Sequence, residues 1–485
     1  MKEDKMTVQV RRDNMIKFGT GGWRAIIGED FTKANIQILA KAMADKMKAE
    51  NVADQGMVIG YDRRFLSRET VIWSCEVFAA EGIVSHFVCR SVPTPLVMNY
   101  VMKYNFPYGM MVTASHNPSL YNGIKVFTAG GRDADEAQTQ DIERYIAKVD
   151  PDQIPRMDYE EALVKGLVRE FYPMNEYIDD IMSKIDMEAI KNAQLKVVLD
   201  PMYGVSEKAL STILITGRCD FEMIHQEHDT LFGGRMPAPS EDRLGLLKTS
   251  VLEKGFDLGL ATDGDADRLG VIDDKGNYLH PNDILVLLYY YLVKYKKWSG
   301  PVVRNLATTH RLDVIAQKYG QVCYEVPVGF KHISAKMTES GAILGGESSG
   351  GLTVAGHING KDGVYAASLL VEMVAVTGKK LSELMEMIRE ECGSCYMEER
   401  SYTFSEQKKA DLMKSLFEDK ELPSLEPYEI DHISYMDGCK VFFKNGGWVI
   451  ARFSGTEPLL RIFCEMPTEE EAALVCRRFK NYFAL

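Results

Sequence analysis

The chain has 485 residues, too many for one hydrophobic core, and its length suggests roughly three or four domains. Hydrophobic residues make up 46% and charged residues 26%, the balance of a soluble globular protein. A formal net charge of −13 argues against general nucleic-acid binding, but not against an anionic substrate in a cleft lined by Arg and Lys.

The start, Met1-Lys2-Glu3-Asp4-Lys5, is charged and lacks an apolar signal region, so the expected compartment is the cytoplasm. Residues 1–14 carry no clear pattern and read as an extension before Met15-Ile16-Lys17-Phe18-Gly19-Thr20. Residues 56–62 read as a buried strand leaving into a polar loop, and helical spacing follows over 70–81. Residues 109–114 run from strand into loop, while 196–201 and 301–305 repeat the sequence of strand, polar turn and helix. The apolar run 284–293 is too short for the roughly 20 residues of a membrane span and reads as a buried helix. This alternation predicts α/β domains with largely parallel sheets. The last ninety or so residues differ, with short strands expected at 401–404, 433–435, Cys439–Phe443, Trp448–Phe453 and 461–465 before a final helix, Glu469–Tyr482. The organisation is then an extension (1–14), three α/β domains (15–150, 151–275, 276–393) and a small α+β domain (394–485). Nine scattered cysteines form no disulfide framework, and the lone Cys392-x-x-Cys395 reads as two incidental thiols.

Four polar motifs carry the chemistry. In Thr113-Ala114-Ser115-His116-Asn117-Pro118, a serine hydroxyl and an imidazole sit on a turn set by proline. Such a hydroxyl carries phosphoryl groups well where a metal and cations offset the added charge. His116 reads either as an active-site contact or as a satisfied structural histidine. In Asp263-Gly264-Asp265-Ala266-Asp267-Arg268, three carboxylates at alternate positions repel one another unless a hard cation sits among them. A calcium EF-hand loop begins similarly but needs Gly at its sixth position and Glu at its twelfth, where Arg268 and Asp274 stand. Three carboxylates leave room for a substrate oxygen, which suits Mg²⁺.

Glu347 and Ser349, flanked by Gly345, Gly346, Gly350 and Gly351, offer a carboxylate and a hydroxyl to two adjacent sugar hydroxyls. Lys331 and His332 lie shortly before them, and Lys125 lies a short reach from Ser115. Arg452-Phe453-Ser454-Gly455-Thr456-Glu457-Pro458, with Arg461 beyond, has the parts of a phosphate cradle: close backbone N–H groups, hydroxyls and guanidinium groups.

In this order, the motifs strongly resemble those of the α-D-phosphohexomutase superfamily, the phosphoglucomutase and phosphomannomutase enzymes. The resemblance spans about residues 15–485 and includes Phe18-Gly19-Thr20-Gly21-Gly22-Trp23-Arg24. It implies a heart-shaped molecule of three related α/β domains and a small mobile fourth, with one motif from each meeting in a cleft. Ser115 would be the phosphoserine, and Mg²⁺ would be held by Asp263, Asp265, Asp267 and a phosphate oxygen on Ser115. Arg24 and Arg268 would stabilise the transferring group, with Lys125, Lys331, His116 and His332 as candidates for proton transfer and charge stabilisation. Glu347 and Ser349 would hold the sugar. Arg452, Ser454, Gly455, Thr456 and Arg461 would hold its resident phosphate.

The implied reaction interconverts hexose 1-phosphate and hexose 6-phosphate through a sugar 1,6-bisphosphate, with glucose 1,6-bisphosphate as activator. The Phe-Gly-Thr-Gly-Gly-Trp-Arg start and Val328-Gly329-Phe330-Lys331 resemble phosphoglucomutase-like members more than glucosamine-specific ones, and no motif reads C2. Glucose is expected, with mannose second and glucosamine third, although Ser348 stands where family subgroups often have Met, Glu or Gln. A sugar 1,6-bisphosphate synthase is the alternative enzyme, and a non-catalytic sugar-phosphate sensor the alternative class. No coiled-coil pattern appears, and the expected state is a monomer or homodimer without nucleic-acid or membrane partners.

Overall fold

The computed structural model describes residues 16–19, 21–453 and 459–485. The proposed extension 1–14, together with Thr20, Ser454, Gly455 and Thr456, lies outside the described residues. The chain divides into two compact units. One contains the described residues up to Pro281 plus Ser349–Ser382, and the other contains Asn282–Ser348 and Glu383–Leu485.

The first unit holds two mixed sheets. In the larger, the buried strand Met57–Tyr61 lies parallel to both Ser85–Val88 and Tyr108–Val112, and Ser85–Val88 pairs parallel with Val168–Phe171. The direction then reverses: Tyr121–Thr128 runs antiparallel to Tyr108–Val112, and Gly22–Ile26 antiparallel to Tyr121–Thr128. The helices Lys33–Ala49 and Ser67–Ala80 cover this sheet with Ile36, Leu39, Met43, Val71, Cys75 and Phe78, all fully buried. At Gly123 a side chain is excluded, because a Cβ would stand 2.2 Å from the Trp23 carbonyl and 2.9 Å from that of Thr113. This close approach draws the strand carrying Arg24 against the strand carrying Lys125.

The second sheet orders Asp220–Met223, Lys196–Asp200, Leu258–Thr262, Leu269–Ile272 and Tyr278–Leu279. Its first three strands are parallel and the rest antiparallel. Both the Ser115 loop and the Asp263 loop leave the carboxyl ends of strands, Tyr108–Val112 and Leu258–Thr262, where open α/β sheets present their sites. The helix Gly363–Thr377 starts behind Asp362, whose carboxylate accepts the Tyr365 N–H at 2.9 Å.

In the second unit, Val302–Asn305 lies between Cys323–Val326 and Leu344–Gly346, both parallel to it. The helix Pro281–Lys294 is buried throughout 284–293, as its apolar run predicts. The C-terminal part is a five-stranded antiparallel sheet, Tyr396–Thr403, Leu459–Met466, Trp448–Phe453, Cys439–Phe443 and Ile430–Ser434, backed by the helix Glu469–Tyr482. Its first strand begins at Tyr396 rather than at 401, a correction to the sequence reading. Glu398, Glu399 and Arg400 hide its strand character while it pairs residue for residue with the largely buried Leu459–Met466. No helix among the described residues is long and apolar enough to cross a membrane.

Candidate active site

Ser115 is fully buried and adopts a left-handed φ of 52°, a conformation that costs a non-glycine residue about 1–2 kcal/mol. The Ser115 N–H donates to Thr113 Oγ1 at 2.8 Å, and the Thr113 hydroxyl donates to Asp62 Oδ2 at 2.6 Å. Held this way, Ser115 Oγ donates to Asp263 Oδ2 at 2.8 Å and lies 3.3 Å from His116 Nδ1. The Asp263 loop approaches so closely that a Cβ at Gly264 would stand 2.8 Å from the Ser115 carbonyl.

The three carboxylates converge, with ligand atoms of Asp263, Asp265 and Asp267 all within 4.8 Å of one another and all three residues buried. Asp263 Oδ1 accepts the backbone N–H groups of Asp267 and Arg268, both at 3.0 Å, which closes the loop around it. Asp265 Oδ2 accepts from Thr94 Oγ1 at 2.6 Å and from Lys125 Nζ at 2.7 Å, and Asp267 Oδ2 accepts from Lys125 Nζ at 2.7 Å. Asp265 Oδ1 and Asp267 Oδ1 are buried with no hydrogen-bond partner. Two orphaned anionic oxygens beside a third carboxylate and a hydroxyl fit a hard, oxygen-seeking divalent ion such as Mg²⁺.

Burial, then the neighbouring charges of Asp265 and Asp267, push the Asp263 carboxyl well above the usual range. Burial acts the same way on Asp267, but Lys125, Lys361 and Arg268 outweigh it and hold that carboxyl well below the usual range. Lys125 is desolvated too, yet Asp265 and Asp267 raise its pKa and keep it an ammonium. His116 is pushed down to about 2 by burial and by Arg268 and Arg24, so its imidazole is neutral. Arg24 donates through Nη1 to Asn117 Oδ1, tying the strand Gly22–Ile26 to the serine loop. Arg268 Nε, buried without a hydrogen-bond partner, stands 3.8 Å from Asp267 Oδ1.

The first unit thus gathers Ser115, His116, Arg24, Lys125, Arg268 and the three aspartates. It also gathers residues that sequence reading missed. Lys361 pairs with Asp267 at 3.1 Å, and Thr94 reaches Asp265. The signal for Lys361 was Gly360-Lys361-Asp362-Gly363, a charged pair between glycines ahead of an apolar helix. Ser349 also belongs to this unit and is exposed.

The second unit carries the remaining candidates. Glu347 is buried and takes Asn305 Nδ2 at 3.4 Å. Lys331 and His332, both partly buried, occupy the first turn of the helix Phe330–Ser340. Arg452 directs Nε at both oxygens of Asp437, at 3.0 Å each, and faces Arg461 across paired strands.

A hydroxyl hydrogen-bonded within a cation-rimmed carboxylate cluster is the chemistry of a phosphotransferase, here on α/β domains. Residues 15–153, 175–276 and 280–391 match phosphoglucomutase/phosphomannomutase alpha/beta/alpha domains I, II and III, and residues 408–481 match the C-terminal domain of the same family. The chain is 30% identical over 463 residues to a phosphoglucomutase/phosphomannomutase of Thermococcus kodakarensis, covering 94% of this chain and 95% of that protein. It is also 30% identical over 456 residues to a probable phosphoglucosamine mutase of Methanosphaera stadtmanae, covering 93% and 95%. The solved open form of Paramecium pp63/parafusin, a phosphoglucomutase, shares the fold with a TM-score of 0.82 at 21% identity, covering 96% of this chain and 94% of that one. The chain belongs to the phosphoglucomutase/phosphomannomutase family, and it is a phosphohexomutase with that family's four-domain α/β architecture.

Proposed function

We propose that the protein interconverts glucose 1-phosphate and glucose 6-phosphate through a phosphoserine at Ser115, with mannose phosphates as second substrates. The observation that carries the reading is the 2.8 Å bond from Ser115 Oγ to Asp263, beside two buried carboxylate oxygens without partners. Asp263, Asp265 and Asp267, with Ser115, are the residues that would hold Mg²⁺. Bound there, the ion would neutralise charge on the phosphoryl oxygens.

The chain's own groups then divide the work. Ser115 alternately carries and releases the phosphoryl group, held in one place by its loop. Arg24 and Arg268 draw the charge of the group in flight, and Lys125 keeps the carboxylates from repelling it. His116, whose ring lies beside Ser115 Oγ, is a candidate for proton transfer and charge stabilisation at the reacting oxygen, as are Lys125, Lys331 and His332. Glu347 and Ser349 hold sugar hydroxyls, while Arg452, Ser454, Gly455, Thr456 and Arg461 hold the phosphate that does not react. The bisphosphate formed by the first transfer turns end over end and returns its other phosphoryl group to Ser115. Loss of that intermediate leaves Ser115 bare, which makes glucose 1,6-bisphosphate the activator. A cytoplasmic location is part of this reading, supported by the charged start of the chain at Met1-Lys2-Glu3-Asp4-Lys5.

Glucosamine is the second reading, because relatives bearing either name stand at the same 30% identity. A coupled assay with Mg²⁺ and trace glucose 1,6-bisphosphate, run on glucose, mannose and glucosamine 1-phosphates, tests the choice. Fastest turnover of glucose 1-phosphate is expected. A preference for glucosamine 1-phosphate would reverse the assignment.

A further inference from the structure

One side chain outside the catalytic set organises the whole serine loop. Arg64 follows the strand Met57–Tyr61, and its guanidinium is completely buried. Through Nη2 it donates to the carbonyls of Ser115 and Asn117, both at 2.7 Å. Through Nη1 it donates to those of Pro118 and Tyr121, at 2.9 and 3.0 Å. The loop from Ser115 to Tyr121 is therefore wrapped around one planar cation, which rests over the Phe232 ring at 4.9 Å.

Behind it stands Asp62, with Oδ2 3.3 Å from Arg64 Nε. The same carboxylate accepts the Arg64 N–H at 2.9 Å, Ser67 Oγ at 3.1 Å and the Thr113 hydroxyl. Thr113 in turn accepts the Ser115 N–H. Both the amide and the carbonyl of Ser115 are thus tied to one ion pair, directly on the carbonyl side and through Thr113 on the amide side. The Arg64 guanidinium hydrogen-bonds backbone carbonyls and not Ser115 Oγ or the three aspartates, on which its charge acts only from further away.

We infer that Arg64, braced by Asp62, is the positioning residue that fixes Ser115 in its left-handed conformation. The inference rests on the proposed mutase cycle, which uses Ser115 twice per turnover, once as donor and once as acceptor. A nucleophile that moved between those steps would meet only one end of the intermediate well. Four carbonyls taken two by Nη1 and two by Nη2 need the guanidinium fork, which the three donors of a lysine on a single atom cannot reproduce.

The test compares wild type with Arg64→Lys, which retains a charge for Asp62, and with Thr113→Val, which cuts the tether on the amide side. Each is followed by thermal melting, by kcat and KM for glucose 1-phosphate, and by the rate at which glucose 1,6-bisphosphate phosphorylates Ser115. Arg64→Lys is expected to melt cooperatively and keep its KM, while kcat and Ser115 phosphorylation fall by about 10²-fold. Thr113→Val is expected to lose kcat in the same way, and it carries the test if Arg64→Lys does not fold. A folded variant with wild-type kcat and phosphorylation rate would overturn the positioning role and leave the mutase reading intact. Wild type that never accepts a phosphoryl group on Ser115 would overturn both.

Discussion

Lys125 sits where two carboxylates compete for one ammonium, 2.7 Å from Asp265 and 2.7 Å from Asp267. Removing one partner of a buried ion pair usually costs about 3–5 kcal/mol, because the other charge is left stranded. Lys361 still reaches Asp267, but no second ammonium is paired with Asp265 among the described residues. Lys125→Met should therefore melt well below wild type without divalent ions. Mg²⁺, binding the native cluster and not the unfolded chain, should restore the variant by more than it stabilises wild type. Melting curves taken with and without Mg²⁺ read this directly, and an equal shift in both proteins would contradict the shared-charge account. At this scale the sequence spoke clearly where spacing was tight, as in Asp263, Asp265 and Asp267. It was silent on Arg64 and Thr94, because each reaches the cluster or its loop from a distant segment and nothing in the neighbouring residues marks it, whereas Lys361 was missed although Gly360 and Gly363 bracket it.

Elements were legible in proportion to their burial. The strand Met57–Tyr61 and the helix Pro281–Lys294 are almost wholly buried and announce themselves as apolar runs. The start of Tyr396–Thr403 did not, since its exposed charges break the alternation. The strand Cys439–Phe443 conceals another polar device, because its Lys440 is 1% exposed. Lys440 Nζ donates to the Leu306 carbonyl at 2.7 Å and to Glu325 Oε2 at 2.6 Å, stands 3.0 Å from His310 Nε2, and lies over the Trp448 ring at 4.3 Å. Arg304, also paired with Asp313, shares Glu325. Burial first, and the repulsion of Arg304 second, push Lys440 down to about 8. Between that pH and the ordinary lysine value of about 10.4 the unfolded chain binds the extra proton, so stability rises with pH across this window. The unfolding free energy of wild type relative to Lys440→Met should climb by up to about 1.4 kcal/mol per pH unit there. Denaturant titrations at several pH values measure it, and a flat difference would show that Lys440 stays charged.

Across the whole chain, the order of motifs was the strongest message in the sequence, because four of them in one arrangement are far more specific than any alone. That order carried the fold class, the family and the kind of reaction. Sugar identity was not readable in the same way: glucose and mannose differ at one carbon, and the groups gathered around Ser115 act on phosphate and cation. Every step of the proposed cycle passes through one oxygen, Ser115 Oγ, so the most direct measurement is peptide mapping by mass spectrometry after incubation with glucose 1,6-bisphosphate and Mg²⁺. The account predicts a single phosphate, located on Ser115, that exchanges with the phosphoryl group of added isotope-labelled hexose monophosphate and never forms in Ser115→Ala. Phosphate on another residue, or none at all in active protein, would contradict it.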